Sequence, residues 1–152
     1  MSIMVPLDTS DLSRSAVELA KDIARGIDQD LLLVTVADPH TRHGVGAFAY
    51  SEGQEPTDML EAGLRTVADN LPDDLAVRVE LLAGEEAAEA LVRRADQDDV
   101  TMVVMASHGR TGYARWRMGS VADRVVRGAT VPVTILPAPW RLELKEASAR
   151  PE

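Results

Sequence analysis

Apolar and polar positions follow two alternating regimes along the chain. Short apolar runs come first: Ile3 to Leu7, Leu31 to Val36, Thr101 to Met105 and Val131 to Leu136. The runs at 31–36 and 101–105 are continuous, as expected of strands buried on both faces. A fifth run, Ala76 to Leu82, instead alternates Val77, Val79 and Leu81 with Arg78 and Glu80. Between the runs the period lengthens to that of a helix. Leu12, Ala16, Leu19, Ala20, Ile23 and Ile27 make one stripe, with Ser10 placed to cap it and Gly26 placed to end it. Leu60, Leu64, Val67 and Leu71 make a second stripe after Thr57. Ala87, Ala88, Leu91, Val92 and Ala95 make a third after Gly84. Val121, Ala122, Val125, Val126 and Ala129 make a fourth, where Ser120 and Asp123 have the spacing of a capping box and Gly128 lies near the end. All four stripes read as core packing.

The resulting order is β-α-β-α-β-α-β-α-β. It predicts an α/β fold: a single Rossmann-like three-layer domain, with a five-stranded parallel sheet and helices on both faces. The domain spans residues 1–137, and residues 138–152 form a C-terminal tail. Ligands of such sheets bind beyond the C-terminal strand ends, where the strand order reverses. The segment after Met105 lies at one such end. Residues 37–56 form a long connection with three glycines, and a connection of that length suggests mobility or function.

Composition narrows the picture. The 152 residues suit one domain, and with one Phe, two Tyr and two Trp the core must be built from Val, Leu, Ile, Ala and Met. No cysteine is present, which excludes disulfides, thiol catalysis and Cys-based zinc sites. The net charge of −9 argues against nucleic-acid binding. The opening MSIMVPLD does not read as a signal peptide and no apolar run would span a bilayer, so a cytoplasmic protein with no membrane insertion is expected.

Against that acidic background, residues 107–128 carry Arg110, Arg115, Arg117, Arg124 and Arg127 with one acid, Asp123. Ser107, His108 and Gly109 follow a buried strand, Gly112 comes later, and Gly119-Ser120 opens a helix. Glycines let backbone amides approach a ligand, and a helix N-terminus presents free N–H groups at the positive end of its dipole. Such a segment can cradle phosphate. A glycine-containing turn with a solvated arginine face accounts for the same residues, and the residues alone leave both readings open. The patterns G-x-x-x-x-G-K-[ST] and G-x-G-x-x-G are both absent.

The stretch MASHGRTGYARWRMGSVADRVV, followed by VPVTILP, resembles the signature of the universal stress protein family, G-x2-G-x9-G-[ST]. Gly109 matches its second glycine, Arg110 to Met118 the nine-residue spacer, and Gly119-Ser120 its end; Ala106 replaces the first glycine. The opening IMVPLDTSDLS is similar to the family's first strand, with an aspartate at its end. The resemblance implies the nucleotide-binding branch of the family. It places Pro6, Asp8 and Val36 around the adenosine of ATP, with Met105 at the base of the pocket. It assigns phosphate contacts to Ala106, His108, Gly109, Gly119, Ser120 and Val121, with or without magnesium on the ATP. It also implies a homodimer through the last strand, Pro132 to Leu136, and a stress-response role.

Simpler readings stand beside these. Asp8 could cap its turn, and His108 could be an ordinary loop histidine. His40, His43 and Asp38 have a spacing that suggests a metal, but without further placed ligands no metal site is expected. Trp116 suits a subunit contact or a ligand lid. Three functions follow. The first is a non-catalytic ATP-binding stress protein with at most slow ATP hydrolysis. The second is a family member without nucleotide, acting as a module for a protein partner. The third is an adenylating enzyme, disfavoured because PLDTSDLS lacks a glycine-rich phosphate loop after strand one. No nucleophile with a positioned base is evident.

Overall fold

The computed structural model describes residues 1–8, 11–37, 56–84, 86–107 and 118–137. The expected order is present: β1 (Ser2–Pro6), α1 (Asp11–Ile27), β2 (Asp30–Ala37), α2 (Pro56–Asp69), β3 (Val77–Ala83), α3 (Ala87–Ala95), β4 (Val100–Ala106), α4 (Ser120–Gly128) and β5 (Val133–Leu136). All pairings are parallel and the strand order is β3-β2-β1-β4-β5. The order reverses between β1 and β4, the two strands that leave a crevice at their C-terminal ends.

The continuous apolar runs explain the layering. Successive residues of a strand point to opposite faces. Ile3 and Val5 of β1, with Leu31 and Leu33 of β2, pack under α1 and α2. Met4, Leu32 and Val34 pack with Leu91 of α3 and Ala122 and Val125 of α4. A strand covered on both faces needs no polar alternation. At the sheet edge β3 keeps its alternation, because Arg78 and Glu80 serve an ionic network.

That network sits where the strands begin. Arg94 of α3 donates from Nε to Glu80 at 2.8 Å and from Nη1 and Nη2 to Asp99 at 2.8 and 3.0 Å. Arg78 donates to Asp99 at 2.8 Å and to the Ser2 hydroxyl at 2.7 Å. Hydrogen bonds from Arg94, then from Arg78, hold the Asp99 carboxyl well below the usual carboxylate range. The bond to Asp99, with Glu80 adding to it, raises the Arg94 guanidinium. The network joins the starts of β1, β3 and β4 at the end remote from the crevice.

Four local expectations are corrected. Helix α1 passes through Gly26 and ends after Ile27, where Asp28 takes a left-handed φ of 54°. The Gln29 amide then donates to the Ala24 carbonyl at 3.0 Å, a Schellman-type closure. A short polar side chain tolerates the left-handed region better than most, so aspartate ends the helix. The capping box on α4 does not form: Gly119 is the N-cap, no side chain caps it, and Asp123 pairs instead with Arg127 at 3.0 Å. Strand β5 starts at Val133, later than Val131, since Pro132 has no N–H for the ladder and only its carbonyl is used, by the Val103 amide at 2.9 Å. The fourth stripe is also narrower than its periodicity implies. Ala122 and Val125 are buried, whereas Val121 and Val126 are exposed. Ser10 and the tail lie outside the described residues.

Candidate functional site

Three backbone junctions build the crevice. At the end of β1 the Leu7 amide donates to the Val34 carbonyl at 2.8 Å. The Leu7 carbonyl accepts from the buried Thr35 hydroxyl at 2.5 Å. With both backbone groups tied to β2, the turn that presents Asp8 is fixed. At the end of β4 the Ser107 amide donates to the Leu136 carbonyl at 2.9 Å. The Ser107 carbonyl accepts from the Gly119 amide at 2.7 Å, which anchors the start of α4 beside the strand end.

Gly119 has extended backbone, φ −63° and ψ 155°, and its carbonyl receives the first helical bond, from the Asp123 amide at 2.9 Å. The amides of Ser120, Val121 and Ala122 therefore have no carbonyl partner within the helix. They carry the positive end of the helix dipole.

Between these junctions lies a cavity of about 350 Å³. Of the residues implied as ligand contacts, Pro6, Asp8, Val36, Met105, Ala106, Gly119, Ser120 and Val121 all line it. His108 and Gly109 lie outside the described residues, as do His40, His43, Asp38 and Trp116. Among the described residues, no group of three or more potential metal ligands is assembled. Val36, Met105, Leu60 of α2, Leu91 of α3 and Val121 supply apolar lining. The polar lining comes from Asp8, Ser13, Thr35, Ser107 and Ser120, together with the start of α4. An apolar slot beside convergent polar groups suits a flat heterocycle carrying a polar, anionic substituent.

The sequence reading missed Leu7, Ser13, Thr35, Leu60, Ala87, Leu91 and Ala122 as lining residues. Ser13 is buried in the first turn of α1, which the sequence does not reveal. Leu60 and Leu91 left no trace, since each is simply a stripe residue on its helix.

Ala106 closes β4 opposite Leu136, and among the described residues Asp28 is the non-glycine residue with positive φ. The methyl group that replaces the signature's first glycine thus sits on unstrained extended backbone. The arginine surplus is smaller than the segment's composition suggests. Arg124 of α4 is paired with Glu86 at the start of α3, and Arg127 with Asp123.

A wider depression of about 570 Å³ lies over the outer part of β3, between Glu80, Leu82, Arg93 and Asp99. It is shallow, and the Glu80, Arg94 and Asp99 charges on its floor already satisfy one another. The crevice at the strand-order reversal is the better candidate site.

The model of the universal stress protein family matches residues 1–137. The chain belongs to the universal stress protein family. A curated relative, universal stress protein MJ0531 of Methanocaldococcus jannaschii, is 29% identical over 148 residues, covering 90% of this chain and 82% of its own length. The solved structure of protein MJ0577 superposes with a TM-score of 0.73 at 23% identity, over 89% of this chain and 94% of its own. A universal stress protein crystallised in complex with cAMP superposes at 0.64 and 23% identity, over 90% and 96%. The family's fold is thus the fold seen here, a parallel five-stranded sheet between helices. Among the described residues, no helix is long and apolar enough to cross a membrane.

Proposed function

We propose that this universal stress protein binds an adenine nucleotide, ATP, in the crevice between the ends of β1 and β4. One observation carries the reading. A single cavity joins an apolar slot, a carboxylate at the end of β1, and the uncapped N-terminus of α4. The base would lie against Val36, Met105 and Leu91. The Asp8 carboxylate would accept hydrogen bonds from the ribose hydroxyls. The phosphates would take the amides of Ser120 and Val121, with His108 and Gly109 adding contacts from the preceding segment. Magnesium, where it accompanies ATP, would be held chiefly by phosphate oxygens and water. The cAMP complex of a protein with this fold supports an adenine nucleotide as the ligand class.

The protein would work by binding rather than by turnover, as a cytoplasmic homodimer in the response to stress, with at most slow ATP hydrolysis. The dimer would form through β5, which pairs with β4 on one side and, among the described residues, has no strand on the other. Chromatography of the small molecules released on denaturing the purified protein tests the reading, together with calorimetric titration with ATP. Released adenine nucleotide and saturable ATP binding are expected. An empty protein that binds no added nucleotide would leave a family member that acts through its surface on a protein partner.

A further inference from the structure

We infer that Arg124 is a phosphate-contacting residue held in reserve by Glu86, so that the ligand's phosphates and one carboxylate compete for one guanidinium. The inference rests on reading the crevice as a nucleotide site. It adds a contact that selects for a polyphosphate and an internal group that opposes binding.

The geometry begins with two helix starts on one cavity. Ala87 and Leu91 of α3 and Ser120 and Val121 of α4 line the same space. Glu86 is the N-cap of α3, with extended backbone, yet its side chain makes no capping bond to its own helix. Its Oε2 instead accepts from Nη1 of Arg124 on α4. Arg124 stands four residues after Ser120, hence on the same face of α4 and one turn further along. Helical side chains lean toward the N-terminus, so the arginine reaches back toward the first turn of α4, whose amides have no carbonyl partner within the helix. The bond to Glu86 agrees with that direction, since it holds the guanidinium at the start of α3, next to Ala87 of the cavity lining; Arg124 itself lines a neighbouring groove with Ala88 and Val92.

The pair is also easy to exchange. Both side chains are about half exposed, at 54% and 52%, and an ion pair in that setting gains little over hydration. A triphosphate carries more charge than a carboxylate, and its oxygens match the arginine fork in the same two-point manner. Arg127 offers no such exchange, because its partner Asp123 is on its own helix one turn back.

Calorimetric titration of wild type, Glu86→Gln, Arg124→Gln and the double variant with ATP, and separately with adenosine, tests the inference. Glu86→Gln should tighten ATP binding about threefold or more, and Arg124→Gln should weaken it about tenfold. The double variant should match Arg124→Gln, and adenosine affinity should stay constant throughout. Arg124→Lys should lose part of the ATP affinity, as a point charge replaces a fork. Unchanged or weaker ATP binding by Glu86→Gln would overturn the inference. An equal gain from Glu86→Gln in the Arg124→Gln background would also overturn it, by showing general charge relief. If wild type bound neither ATP nor adenosine, the nucleotide reading of the crevice would fall, and this inference with it. If wild type bound both while the variants left the ATP preference untouched, only the role of Arg124 would fall.

Discussion

The Gly119 amide donates to the Ser107 carbonyl at 2.7 Å, and the Ser107 amide donates to Leu136 of β5 at 2.9 Å. Ser107 thereby sets where α4 begins relative to the sheet. The uncapped first turn of α4 is aimed at the crevice by a bond between residues that the sequence separates by the whole glycine-containing segment.

Gly119→Val should abolish most ATP binding while leaving the fold intact. The φ of −63° at Gly119 is open to any residue, so the backbone is not strained by the change. The added branched side chain would stand at the cavity wall where phosphate must approach the amides. A loss of at least about tenfold in affinity is expected, or about 1.4 kcal/mol. Calorimetry beside a thermal melt reads both effects, and wild-type affinity in the variant would move the phosphate site elsewhere.

Ala106→Gly should change ATP affinity by less than about tenfold. The alanine lies in the β4 ladder, and its N–H is as good a donor as that of glycine. Only a methyl group separates the two forms. Titration of both with ATP decides the point. A wild type without measurable binding that glycine rescues would show that the methyl blocks the site.

Thr134→Lys should weaken the proposed dimer. Thr134 lies mid-strand in β5 and is only partly buried. A lysine on a sheet edge opposes pairing with another edge. Leu136 is unsuitable for the same test, because it is 1% exposed within the core under α1 and would unfold the protein if charged. Light scattering at micromolar concentration should give twice the monomer mass for wild type and a shift toward monomer for the variant. A monomeric wild type would remove the dimer.

Acid should destabilise the fold through Asp99. Its carboxyl is held well below the ordinary value of 3.8 by Arg94 and Arg78. A depressed folded value means that the contribution is fully present above the unfolded value. It is lost as pH falls below that value toward the folded one. Asp99→Asn should flatten the acid limb of a stability profile. At neutral pH it should cost about 1 kcal/mol, a modest figure because the side chain is 39% exposed and screened. Urea midpoints measured from about pH 7 down to about pH 2 would read both changes. An unaltered acid limb in Asp99→Asn would assign the acid sensitivity to other carboxylates.

Local chemistry was enough to read the elements. The runs at Leu31 to Val36 and Thr101 to Met105 are apolar on both faces, and that is sufficient to call buried parallel strands. Pro6, Asp8, Met105 and Ala106 came from the resemblance to the universal stress protein family, and the structure sets them at strand ends, where a parallel sheet opens its crevice. Helix ends were less legible. Whether Gly26 or Asp28 takes the left-handed turn depends on where α1 must meet β2, and that is a distance set by packing.

Composition and periodicity determined the α/β order, the absence of cysteine chemistry, and the basic, glycine-containing sequence that follows β4. The tertiary structure alone decided the rest. It brought Leu60 and Leu91 from two other helices onto the cavity, since a helix stripe does not say which neighbour it will face. It also gave Arg124 to Glu86 and Arg127 to Asp123. A sequence counts charges, but only the fold places an acid within reach of each one and so sets how much positive charge is left to meet a ligand.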